Sequence, residues 1–253
     1  KFSHANEEGH PHYYTVKFDN GIRTEFSTTD RGVHFRFSYP KTGDAYLVID
    51  GYTDRSEITI DPEKRQVRGW VNNHRFVNHS ENFRNYFVIQ FDTKFEDFGI
   101  WAGEGKQTFH KQTSGQGKRY GAYLKFKKGA KVQAKAASSY ITPEQAAVTL
   151  KMELGADKNL ETTKARGFKR WNELLNRVLV EGGTDEQIRT FYSCLFRSNL
   201  FSRKFYELRE DGTPYYYSPY DGKIYDGDMF TDNGFWDTFR SQFALTNILH
   251  PTQ

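Results

Sequence analysis

Cysteine is almost missing: Cys194 is the only one among 253 residues. One thiol builds no internal disulfide framework and offers no cysteine spacing of the kind that holds zinc. It falls inside an apolar helical pattern, so a buried structural thiol is expected there. Nor does any stretch approach the ~18 apolar residues that span a bilayer, so no membrane span is expected. Charge of one sign is not concentrated either: 36 basic and 32 acidic residues leave a net +4 and are interspersed. No Lys/Arg stripe runs along a helix, which argues against nucleic acid as a partner. A Ser/His/Asp arrangement, a phosphate loop and a dinucleotide fingerprint are all absent. The chain opens at Lys1 with neither Met nor signal peptide, and an apolar helical pattern runs into Asn247-Ile248-Leu249-His250-Pro251 just before Gln253. Both ends are expected to be cuts in a longer chain.

The apolar share is low, 36%, with a mean hydropathy of −0.81. Aromatic residues compensate: 22 Phe, 16 Tyr and 4 Trp make up 17%. Such side chains bury large areas, so a sizeable core is still available in a chain long enough for one large domain, or one domain and part of another. Flat apolar rings also suit a sugar binder, while an aromatic-rich β-core explains the same count.

Residues 1–141 read as strands. Val33, Phe35, Phe37 and Tyr39 alternate with polar neighbours, as do Ala122, Leu124 and Phe126. Turn signals such as Asp19-Asn20-Gly21, Asp50-Gly51 and Asp61-Pro62 fall between the runs. Many short strands at this spacing predict an antiparallel β-sandwich. The period changes at Thr142. Thr142-Pro143-Glu144-Gln145 and Thr184-Asp185-Glu186-Gln187 are capping boxes, and each opens a helical pattern. Between them, Phe168, Trp171, Leu174, Leu175 and Val178 share a face; after the second, Ile188, Phe191, Tyr192, Leu195 and Phe196 do so. Residues 209–234 read as a long Asp/Gly-rich aromatic loop, and a last helix is expected from near Phe235. Strands first and helices after them mean a mixed fold.

Asn233-Gly234-Phe235-Trp236-Asp237-Thr238-Phe239-Arg240 is the most informative segment. It puts a carboxylate, a guanidinium and a stacking indole on neighbouring parts of one turn. Asp237 can accept two sugar hydroxyls and Arg240 can donate to ring oxygens; Asp237 can equally cap its own helix and pair with Arg240. His4, Asn6, Glu7, His10 and His12 offer metal-ligand chemistry, or a solvated terminus. Asp226, Asp228 and Asp232 alternate like a calcium loop but lack an EF-hand's closing glutamate. Asn78-His79-Ser80 fits a glycosylation sequon.

Phe2-Ser3-His4-Ala5-Asn6-Glu7 with Tyr13-Tyr14 resembles the FSHxNE…YY stretch of glycoside hydrolase family 92. Phe191-Tyr192-Ser193-Cys194-Leu195-Phe196-Arg197-Ser198 resembles that family's FYxxLYRS helix. Phe235-Trp236-Asp237-Thr238-Phe239-Arg240 is similar to its WDT(F/Y)R segment, Leu249-His250-Pro251 to the end of that helix, and the stretch from Ser139 to Glu153 to its linker helix. His12 departs from the family's usual Gly, and Cys194 is atypical. The resemblance implies an N-terminal β-sandwich over 1–141, linking helices over 142–181, and the first helices of an (α/α)6 barrel over 182–253. It also implies a secreted, exo-acting, inverting α-mannosidase of α-1,2 preference that acts on mannose-containing glycans with calcium. The general acid, general base and calcium ligands are expected outside this segment. Trp236, Asp237 and Arg240 are expected to contribute substrate-binding pocket wall, with no catalytic residue and no metal ligand among 1–253. A stand-alone carbohydrate-binding sandwich and an (α/α)6 glycosidase of other specificity remain the alternatives.

Overall fold

A computed structural model describes residues 1–51, 54–72, 80–103, 107–231 and 233–251. Asn78 and His79 of the sequon, and Asp232, lie outside the described residues. After a short 3-10 turn at His4–Asn6 come thirteen strands among the described residues. They are β1 (Glu7–His10), β2 (Tyr13–Lys17), β3 (Arg23–Thr28), β4 (Gly32–Ser38), β5 (Ala45–Asp50), β6 (Arg55–Asp61) and β7 (Gln66–Val71). Then follow β8 (Asn85–Phe91), β9 (Asp97–Ala102), β10 (Thr108–His110), β11 (Ser114–Lys118), β12 (Tyr120–Phe126) and β13 (Lys131–Ser139). A nine-stranded antiparallel sheet in the order β1-β2-β3-β4-β13-β8-β7-β6-β11 faces a four-stranded one, β10-β9-β12-β5. Phe91, Phe126, Ile58, Ile100, Leu124, Val67 and Val132, each under 2% exposed, fill the space between them. This is the expected sandwich, and its core is built from the alternating residues: Phe35, Phe37, Leu124 and Phe126 all join it.

On β4 the polar side of that alternation is not left wholly to water. Helices α1 (Pro143–Leu154) and α2 (Leu160–Leu175) lie across the outer face of the nine-stranded sheet, over β13, β8 and β4 and over β3 and β4. His34 of β4 is therefore buried, 1% exposed. Its Nδ1 lies 2.8 Å from Thr163 Oγ1, which itself donates to Asp157 Oδ2 at 2.8 Å. Because that hydroxyl hydrogen is committed to the carboxylate, His34 carries its proton on Nδ1 and leaves Nε2 without a partner. Burial, then Lys135, holds its pKa down at about 4. Nearby, Arg36 clamps Glu25 with two bonds of 2.8 Å and also reaches Glu161 of α2. Tyr13 donates to the same Glu25 carboxylate at 2.7 Å. The guanidinium lowers the Glu25 pKa to about 2, against the cost of burial.

Thr142 caps α1 by accepting from the Gln145 amide, but only half of the capping box forms. The Gln145 side chain turns away instead, donating to Leu208 O at 2.7 Å and accepting from Tyr215 Oη at 2.7 Å. Gly182 and Gly183, both at φ +80°, reverse the chain ahead of α3 (Asp185–Ser198), whose capping box at Thr184 is complete.

Three sequence expectations are corrected from α3 onward. Cys194 is exposed, because helical period marks a stripe but not what covers it. Residues 209–234 are not a structureless loop: β15 (Glu207–Leu208), β16 (Pro214–Tyr217) and β17 (Ile224–Asp226) form a small meander, and β18 (Phe230–Thr231) pairs with β14 (Arg203–Lys204). The last helix is broken into a single turn, α4 (Phe235–Thr238), and α5 (Gln242–Leu249).

Candidate functional site

The turn that carries Trp236, Asp237 and Arg240 is fixed by its backbone and by polar neighbours. Asn233 Oδ1 accepts from Thr238 Oγ1 at 2.7 Å, and Asn233 Nδ2 donates to Ser202 Oγ at 2.9 Å. Gln242 donates to Ser198 O and Phe201 O, both at 3.1 Å, and so ties the start of α5 to the end of α3. Behind the turn, Phe235 packs on Phe239 and Phe243 at 5.8 and 5.9 Å between centroids. The far end is held by His250, buried, with Nε2 2.8 Å from Asn199 Oδ1 and Arg177 against its other nitrogen. Burial and that guanidinium lower the His250 pKa.

The structure brings the three predicted residues onto one exposed turn but does not join them. Trp236 is 84% exposed, and Asp237 and Arg240 are exposed beside it. Among the described residues no ion pair links Asp237 to Arg240; the guanidinium lies 5.5 Å from the Phe239 ring centroid instead. The helix-cap reading fails as well, since the N-cap of α4 is Gly234 and makes no side-chain cap bond. The Asp237 carboxylate leans back so far that a Cβ added at Gly234 would lie 2.7 Å from Oδ2. A side chain at 234 would displace it. An acceptor carboxylate, an open indole face and a guanidinium on one surface turn are groups that can bind hydroxyls and a ring face together.

The other candidate clusters are spent on internal contacts. His4 and Tyr14 both bond Glu7, and the His10 ring reaches Glu8 at 2.7 Å. His12 packs edge-on against Phe168 at 5.2 Å. Asp226 pairs with Arg209 at 2.6 Å, and Asp228 is solvated. Among the described residues no group of three His, Cys, Asp or Glu is placed to hold a metal ion. No described helix is long and apolar enough to cross a membrane.

Sequence reasoning missed Glu207. It is 2% exposed where β15 meets the sandwich, accepts from the Tyr140 amide at 2.7 Å, and leaves Oε2 unpartnered. Burial pushes its pKa up. A lone Glu directly after Tyr206 carries no sequence signal for this.

Residues 1–139 match the glycosyl hydrolase family 92 N-terminal domain, and residues 145–253 match the family's catalytic domain. A family 92 inverting mannosidase from Bacteroides thetaiotaomicron superposes with a TM-score of 0.92 at 45% identity, over 97% of this chain and 33% of its own. A family 92 α-mannosidase of the same organism, at 23% identity and a TM-score of 0.81, shares the fold over 98% of this chain and 34% of its own. An uncharacterized secreted glycosidase of Arthroderma benhamiae is 24% identical over 217 residues, 75% of this chain and 28% of that protein. The chain thus spans about a third of the length of these relatives. With both halves matched in order, the chain belongs to glycosyl hydrolase family 92.

Proposed function

We propose that the full-length protein is an exo-acting α-mannosidase, of α-1,2 preference, that removes terminal mannose from glycans with inversion of configuration. The observation that carries this reading is the 45% identity, over 97% of the chain, to a relative described as an inverting mannosidase. The more distant relative solved with mannoimidazole points to the same sugar. The domain plan is a sandwich to residue 141, linking helices to 181, and the opening helices of an (α/α)6 barrel from 182.

Inversion needs a carboxylic acid to protonate the leaving oxygen and a carboxylate to activate a water on the opposite face of the sugar, about 6.5–9.5 Å apart. Neither group is assigned within 1–253, so this piece alone hydrolyses no mannoside. Its share is recognition: Trp236 stacks on the terminal mannose, Asp237 accepts from its hydroxyls, and Arg240 donates to the sugar beside them. The residues that hold calcium belong to the rest of the full-length chain. Export to the periplasm or surface of a bacterium follows from a glycan substrate outside the cell, and the distant relative described as secreted is in keeping with it.

The test is proton NMR of the full-length protein acting on an α-mannoside. The β-anomer of mannose should appear first, and a chelator should abolish turnover. First appearance of the α-anomer would overturn inversion, and undiminished turnover after exhaustive chelation would overturn the calcium requirement.

A further inference from the structure

The outer face of the four-stranded sheet carries chemistry that the proposed activity does not use. Residues directly opposite in an antiparallel sheet share a face. Tyr123 of β12 stands opposite Gly99 of β9 and Val48 of β5; one pleat further on, Lys125 stands opposite Asp97 and Tyr46. The core takes the other face, with Leu124 and Ala122. Helices α1 and α2 cover the far sheet, so this surface points away from those two helices.

Gly99 sets the shape of the surface. A Cβ there would lie 2.6 Å from Tyr123 Oη and 2.7 Å from its Cε1. The Tyr123 ring therefore lies over the bare backbone of β9, where His110 O of β10 also comes close, and any side chain at 99 would displace it. Phe109 and Tyr46 stand on either side, 5.7 and 6.5 Å away between centroids and steeply inclined at 70° and 60°. They are 64% and 42% exposed. One ring for a floor and two rings inclined to it for walls make an open aromatic trough.

The rim selects among occupants. Its charges come as opposite pairs, Lys125 with Asp44 at 3.5 Å and Lys111 with Asp97 at 3.3 Å. In each pair the lysine charge is met by a carboxylate, so neither lysine is left as a bare cation for a nucleic acid or an anionic surface. Polar donors and acceptors at ring height around an apolar floor match a neutral, hydroxyl-rich ring with apolar C–H faces. We infer that the trough of Tyr123, Tyr46 and Phe109 is a second, non-catalytic glycan-binding site, which takes an uncharged oligosaccharide on the side of the sandwich remote from α1 and α2. The inference rests on the sheet geometry and not on the proposed hydrolysis. Its consequence is to hold a branched or polymeric glycan while its ends are processed elsewhere.

The experiment is native affinity electrophoresis of the full-length protein through gels containing soluble yeast α-mannan, with Phe109→Ala/Tyr46→Ala as the variant. Both side chains are exposed and lie outside the core, so melting should be unchanged. Retardation of the wild type, weakened about tenfold or more in the variant, with turnover of a small aryl α-mannoside unchanged, is the expected result. A wild type that is not retarded would overturn the site, and so would equal retardation of the variant. A variant that loses aryl-mannoside turnover along with retardation would show that the rings serve the fold. A dimer that dissociates in the variant would make the trough a contact between copies. If the protein binds mannan yet hydrolyses no mannoside, the trough stands and the proposed activity falls.

Discussion

The sandwich and the helical segment after Gly183 use the same kinds of residue and bury them to opposite extents. In the sandwich, Phe91 and Phe126 are 1% and 0% exposed, and even the polar face of β4 is roofed by α2. In the helical segment α3 buries only Leu195, and α4 and α5 bury nothing among the described residues. Phe235, Trp236 and Ile248 are 71%, 84% and 74% exposed. An amphipathic stripe exists to be covered. The contrast teaches that the sandwich closes on itself, while the helices present an apolar face whose cover is not among the described residues.

The largest expected effect separates the two regions by stability. Phe126→Ala should cost about 3–5 kcal/mol in chemical denaturation, because the cavity adds to the lost burial. Phe235→Ala should change stability by less than ~0.5 kcal/mol, as exposed substitutions do. Equal losses at the two positions would break the comparison.

Acid should act on the sandwich through two groups with low folded pKa values. The unfolded chain takes up a proton on histidine near 6.5, whereas folded His34 refuses it down to about 4. Stability from this group is complete above pH 6.5, falls between 6.5 and 4, and is level below, up to ~3 kcal/mol in all. Glu25, at about 2 folded against 4.5, adds a second fall below pH 4.5. His34→Gln should remove the upper part of the decline and leave the lower, as read from denaturation midpoints at stepped pH. A profile identical to wild type would remove His34 from the account.

A smaller effect tests the helical side. Thr184→Ala removes the hydroxyl that accepts from the Gln187 amide, leaves the bond from the backbone N–H of residue 184 to Gln187 Oε1, and should cost ~0.5–2 kcal/mol. Faster hydrogen exchange should be confined to the first turn of α3, with β13 unaffected. Spread of the loss into the sandwich would show that the two regions unfold together.

The same contrast explains what was legible in the sequence. The switch of period at Thr142 places α1 within a residue, since Pro143 and the cap speak locally. Strand alternation finds the core side of β4 and β12. It reads the other side of β4 as solvent, because α2 arrives from over a hundred residues away. Cys194 was misread for a related reason: period names a stripe, not its cover. The meander over 207–226 escaped because strands of two to four residues show no alternation. At the candidate site the residue types were legible in one segment, but the missing Asp237–Arg240 bond and the lean of Asp237 over Gly234 were not. The aromatic trough was invisible, since Tyr46, Gly99, Phe109 and Tyr123 meet only through strand register.

The most direct test of the recognition role is Asp237→Asn in the full-length protein, with kcat/KM on an α-mannoside and the melting temperature measured on one preparation. The substitution keeps the shape but exchanges an acceptor oxygen for a donor. The account predicts that kcat/KM falls by on the order of 10- to 1000-fold, as expected for loss of one or two charge-assisted bonds to substrate, while melting stays unchanged because the carboxylate caps nothing. Wild-type kinetics in the folded variant, with or without a lower melting temperature, would contradict it.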